Sequence, residues 1–194
     1  MSKLISVLKE EIHLDIYEDH YIIDKILPSV LNSNIDELFS QANDCIDDEN
    51  FLESLIFYDL ILKEDSKNLH ALIDKGTTLQ NLGRIKLAIR SYDKALDISP
   101  DNIDVLVNKG SAFHLDKKYS DAISCYDRAL KIDKKCPMAL AYKGLSLAEL
   151  GQLKEAIAYF KNALSIDKHY DLAQISKDTA QDLLNSSNPK AKKL

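Results

Sequence analysis

Residues 122–133 read AISCYDRALKID, setting a thiol, a phenol, a carboxylate and a guanidinium side by side at Cys125, Tyr126, Asp127 and Arg128. A cysteine becomes a nucleophile when a neighbouring cation or base lowers its pKa, and arginine or tyrosine can hold a developing negative charge. That chemistry requires the four groups to converge on one substrate. Whether they can depends on the element that carries them.

Elsewhere the chain offers little to a reaction. Its histidines, His13, His20, His70, His114 and His169, show neither an HExxH pattern nor a paired Cys/His spacing. His70 and His114 read as solvated or packed side chains, and the acidic pairs Asp47-Asp48 and Asp15/Asp19 as solvated helix faces. There is no EF-hand loop, no glycine-rich phosphate cradle and no GxSxG elbow. These absences predict a non-enzyme with no catalytic residue, no metal and no cofactor.

At 194 residues the chain can bury a sizeable core, and its 45% hydrophobic and 29% charged fractions belong to an ordinary folded protein. Five Gly and four Pro suit a helical chain with short connections. No apolar run is long enough for a bilayer, so no membrane association is expected. The N-terminus lacks the pattern of a signal peptide. Cys45, Cys125 and Cys136, odd in number and without paired spacing, fit a reducing, cytoplasmic setting. A net charge of −6 opposes nucleic-acid binding, which needs clustered Lys and Arg.

The opening stretch has relatives at AIRSYDKALDIS from Ala88 and AIAYFKNALSID from Ala156, with starts 34 residues apart. Leu72, Leu106 and Leu140 keep the same period, as do Gly76, Gly110 and Gly144, and Ala95, Ala129 and Ala163. A weaker copy covers Ile35 to Asn68, with Leu38, Ala42, Ser54 and Tyr58 at the equivalent places. Four repeats therefore run over 35–68, 69–102, 103–136 and 137–170. Each reads as two helices. In the third, Leu106, Val107, Gly110, Phe113 and His114 mark the first, and Tyr119, Ala122, Ile123, Tyr126, Ala129 and Leu130 the second, around a break at residues 116–118. The second and fourth repeats place Leu-Gly at that break, a natural helix stop.

The helical reading answers the opening question. Consecutive helical residues project about 100° apart, so residues 125–128 cannot meet on one substrate. Tyr126 shares its place with Tyr58, Tyr92 and Phe160 and is predicted to be core. Cys125, matched by Ser91 and Tyr159, and Arg128, matched by Lys94 and Asn162, are predicted to be exposed.

With small residues at position 8, an aromatic at position 24 and alanines at positions 20 and 27 in the last three repeats, the pattern resembles the tetratricopeptide repeat, or TPR. The chain carries Leu at position 4, where the family often has Trp, and Pro100 alone meets the expected proline at position 32. The resemblance covers 136 of the 194 residues. It implies an all-α fold, a right-handed α-solenoid of stacked antiparallel helix pairs whose neighbours bury each other's apolar faces. Residues 171–186 read as a capping helix, 187–194 as a flexible basic tail, and 1–34 as an N-terminal helical extension that caps the array, occupies its groove or makes a homodimer.

The resemblance further implies a protein–protein interaction module whose first helices line a concave, peptide-binding face. The residues falling there include Phe39, Asn43, Ile73, Asp74, Thr77 and Asp104. Val107, Asn108, Ser111, Tyr142 and Leu145 complete the set. Asn43 and Asn108 would bond a ligand's backbone, and the apolar members would contact its side chains. TPR co-chaperones that hold acidic chaperone tails use a clamp of Lys, Asn, Asn, Lys and Arg. Over the first three repeats this chain retains only Asn43, with Phe39, Asp74, Asp104 and Asn108 in the other places. The implied partner is an apolar or basic protein segment, not an acidic C-terminal tail. An assembly scaffold that self-associates through residues 1–34 is the alternative.

Overall fold

The computed structural model describes residues 33–186, and among them the chain is all-α. Nine helices follow one another: α1 (Ile35–Asp47), α2 (Phe51–Glu64), α3 (Leu69–Asn81), α4 (Ile85–Ile98), α5 (Ile103–Leu115), α6 (Tyr119–Ile132), α7 (Pro137–Glu149), α8 (Leu153–Ile166) and α9 (Asp171–Ser186). The fold is an α-solenoid built from helix pairs, and it forms two compact units that divide between Ile98 and Ser99. In the first unit α1 pairs with α2, α3 with α4, and α2 packs on α3. In the second, α5 pairs with α6, α7 with α8, α6 packs on α7, and α9 covers α8. Residues 1–32 of the N-terminal extension read over 1–34, and the basic tail at 187–194, lie outside the described residues.

The repeated side chains make the core. Tyr58, Tyr92, Tyr126 and Phe160 are at most 2% exposed, and Ser54, Ala88, Ala122 and Ala156 are fully buried. Small residues let the aromatic ring of the second helix lie against the first helix of the same pair. A Cβ at Gly110 would meet Tyr126 Cε1 at 2.4 Å, and one at Gly76 would meet Tyr92 Cε1 at 2.5 Å. Neither ring is free to move, so a side chain there forces the pair apart.

Local signals begin and end the helices with the same period. Asn34, Asn68 and Asn102 are N-caps whose side chains accept from the backbone N–H three residues on. Cys136 holds that place before α7 and makes no side-chain cap bond, although Pro137 follows at the first helical position. After each first helix one residue turns left-handed: Glu49, Gly83, Lys117 and Gly151, with φ of 59°, 70°, 59° and 77°. The next residue then donates its N–H to a carbonyl five residues back, as Lys118 does to Phe113 at 2.9 Å and Arg84 to Leu79 at 2.8 Å. Glycine takes this conformation without strain, whereas glutamate and lysine adopt it at a cost.

Cys125 corrects the sequence reading. It is 6% exposed, and Ser91, its counterpart, is 7% exposed. Helix α6 lies between α5 and α7, so it buries two stripes, whereas the repeat pattern reveals only the stripe facing its own partner.

Candidate functional site

In the first unit the outward residues of the first helices lie on α1 and α3. Phe39 is half-buried, its ring 6.4 Å from that of Tyr58, and Asn43 is exposed. On α3, Ile73 and Asp74 are half-buried and Thr77 is exposed, its hydroxyl donating to the Ile73 carbonyl at 3.2 Å. Burial raises the pKa of the Asp74 carboxyl, with His70 pulling the other way. Burial, followed by the Asp74 charge, in turn pushes the Tyr58 phenol up to about 12. Asp74 forms no ion pair among the described residues.

In the second unit the same helical face lies on α5 and α7. Asp104 is exposed, Asn108 and Ser111 are half-buried, and Tyr142 and Leu145 are half-buried on α7. Tyr142 stacks on Tyr126 with centroids 6.1 Å apart and an interplanar angle of 17°. Val107 is corrected from ligand contact to packing. It is 2% exposed, because α5 packs directly on α7 as well as on α6 and closes over that position. Ala141, at the matching place on α7, is fully buried too.

His114 links these helices. Its Nδ1 lies 2.9 Å from the Ser146 hydroxyl on α7, and its ring packs edge-on against Tyr119, with centroids 5.2 Å apart. The Tyr119 hydroxyl donates to Glu149 at 3.3 Å. Burial holds the imidazole below its usual pKa, with Glu149 opposing. Ser146 is fully buried, so this His–Ser pair is closed to a substrate and ties two repeats together.

The four residues of the opening stretch have separate surroundings. Cys125 and Tyr126 are buried, Asp127 accepts from Lys143 Nζ at 2.6 Å, and Arg128 Nη2 donates to the Pro100 carbonyl at 3.2 Å. The Asp127–Lys143 bond belongs to a pattern that reading for chemistry overlooked. Lys75 on α3 pairs in the same way with Asp59 on α2. The signal was present in the lysine before Gly76 and Gly144 and in the aspartate after Tyr58 and Tyr126, all at one period. Lys143 is 8% exposed and also donates to the Tyr159 hydroxyl at 2.7 Å. Burial works against its charge, but the bonds to Asp127 and Tyr159 prevail and its pKa is raised. Lys75 and Lys143 are therefore spent between repeats, and the outward face keeps its carboxylates.

Among the described residues no group of three His, Cys, Asp or Glu is placed to hold a metal ion. No described helix is long and apolar enough to cross a membrane.

Residues 103–136 and 137–170 each match the profile of the tetratricopeptide repeat, and residues 79–117 match a further TPR profile. Residues 79–170 therefore carry tetratricopeptide repeats. The family is generally a non-catalytic fold for protein interaction. No curated protein matches the sequence. Among solved structures, MamA protein is similar at 19% identity and a TM-score of 0.65, covering 82% of this chain and 96% of that one. The first TPR domain of Spaghetti (RPAP3), bound to the HSP90 peptide SRMEEVD, is 25% identical with a TM-score of 0.58, covering 62% and 95%. The Arabidopsis OM64 TPR domain is 23% identical with a TM-score of 0.57, covering 59% and 94%.

Proposed function

We propose that this TPR protein is a non-catalytic adaptor whose first-helix faces receive an apolar or basic segment of another protein. The observation that carries this reading is the charge left on those faces. Asp74 and Asp104 stand outward, while Lys75 and Lys143 are drawn into pairs with Asp59 and Asp127. Apolar contact would come from Phe39, Ile73, Tyr142 and Leu145, and backbone hydrogen bonds from Asn43 and Asn108. Burial raises the pKa of the half-buried Asp74 carboxyl, a penalty that a cation brought by the partner would offset.

The peptide held by the RPAP3 domain, SRMEEVD, has two Glu and one Asp. The carboxylates of Asp74 and Asp104 would repel such a ligand, so the partner proposed here differs in charge. The reading is tested by Asp74→Lys combined with Asp104→Lys. The double variant should bind a basic partner segment at least about tenfold more weakly at low salt, with the loss shrinking as salt rises. Unchanged affinity, in a variant that keeps its helical circular dichroism, would remove these faces from the binding site.

A further inference from the structure

The second unit contains a pocket of about 360 Å³ between α7, α8 and α9. Leu145 and Ala148 line it from α7, Phe160 forms its floor, and Ile175, Thr179 and Leu183 close it from α9. Helix α9 covers the array through Ala173 and Ala180, which are buried. Yet Ile175 and Leu183 remain 67% and 53% exposed at the pocket's edge. A helix serving only as a cap would present polar side chains there. Glu149 is the sole charged group in the lining; among the described residues it accepts from the hydroxyl of Tyr119 and its charge is felt by His114. The lining holds no Lys or Arg.

We infer that this pocket takes an aliphatic side chain of a partner peptide that carries a lysine or arginine beside it, the cation pairing with Glu149. The inference rests on the reading that the first-helix faces receive a polypeptide, and it adds a specificity subsite built partly by α9. The cavity has room for an aliphatic side chain, and most of its lining is apolar. Charge complementarity selects the flanking cation. An acidic neighbour would meet an uncompensated carboxylate instead.

The test uses the full chain labelled with ¹⁵N and methyl-¹³C and two capped hexapeptides, acetyl-SAKLKA-amide and acetyl-SAELEA-amide. The lysine peptide should shift signals of Leu145, Ala148, Ile175, Thr179 and Leu183 saturably, and should bind about five- to tenfold tighter than the glutamate peptide at low salt. Glu149→Gln should erase most of that difference while both peptides still bind. Thr179→Trp, which fills the pocket from a half-exposed helix, should abolish the shifts. Absence of saturable shifts, or equal affinity of the two peptides in the unaltered chain, overturns the proposal. So do shifts of the same residues on diluting the protein alone, which would assign the pocket to a second copy. Loss of partner binding in the Asp74/Asp104 double variant but not in Thr179→Trp would sink the subsite and leave the wider reading standing.

Discussion

Tyr126 and Tyr92 occupy the same repeat position and differ in one bond. The Tyr92 hydroxyl lies 3.4 Å from both Thr77 Oγ1 and Gln80 Oε1, whereas the Tyr126 hydroxyl is buried without a hydrogen-bond partner among the described residues. Burial, then Tyr142, raises the Tyr126 pKa; the nearby Ser146 hydroxyl pulls it down, but that hydroxyl lies 2.9 Å from His114 Nδ1 and makes no bond of good geometry to Tyr126. A buried hydroxyl without a partner costs its desolvation, and Phe160 shows that a bare ring fills this place. Tyr126→Phe should leave stability unchanged or raise it by about 1 kcal/mol, and Tyr92→Phe should lower it by about 0.5–1 kcal/mol. Urea denaturation of the two variants measures both, and a loss in Tyr126→Phe would show a bond that the geometry lacks. His114 gives a pH dependence with a definite sign. Because burial lowers its folded pKa, the neutral ring is favoured by folding. The associated stability is present above the unfolded value, about 6.5, and is lost as pH falls through the folded one. Melting temperature should drop on acidification from pH about 7 to about 5, and less steeply in His114→Gln. Equal slopes would remove His114 from the acid response.

At the scale of the helix, the ends carry predictions that the hydrophobic pattern does not. Cys136→Asn would restore the N-cap seen at Asn34, Asn68 and Asn102 and should stabilise by about 0.5–1 kcal/mol. Lys117→Gly would relieve a left-handed lysine and should stabilise by about 1 kcal/mol. Both are read as shifts in the urea midpoint, and a decrease in either would contradict the cap or turn assigned there. The helix pairs themselves were legible in the sequence, since the 34-residue period aligns every small residue with the aromatic it must admit. Less legible was the second buried stripe of α6, because Cys125, Ser91 and Tyr159 vary in kind while sharing a shielded position. Val107 was misplaced for a related reason. A residue on the first-helix face becomes core when the next first helix packs against it, and letters alone do not report that contact.

For the whole molecule, the faces on which a ligand could sit and their outward carboxylates were legible in the sequence, but the pairing of the lysines on the same helices was not. Lys75 and Lys143, one residue before Gly76 and Gly144, were not among the residues singled out in the sequence. The structure spends them between repeats, with Lys143 held by Asp127 and Tyr159. Ion pairs between neighbouring repeats are non-local: the period repeats the lysine and the aspartate, but only the packing of one repeat on the next brings them together. The pocket beside α9 was illegible for the same reason, since Ile175 and Leu183 read as the apolar face of a cap. The central claim is that a surface depleted of free cations selects a basic and apolar polypeptide. Its most direct measurement is a positional-scanning peptide array probed with the full chain and with the Asp74→Lys, Asp104→Lys variant. The account predicts enrichment of Lys, Arg and aliphatic residues with depletion of Asp and Glu, and loss of that charge preference in the variant. Selection of acidic peptides by the unaltered chain, or the same preference in both proteins, would contradict it.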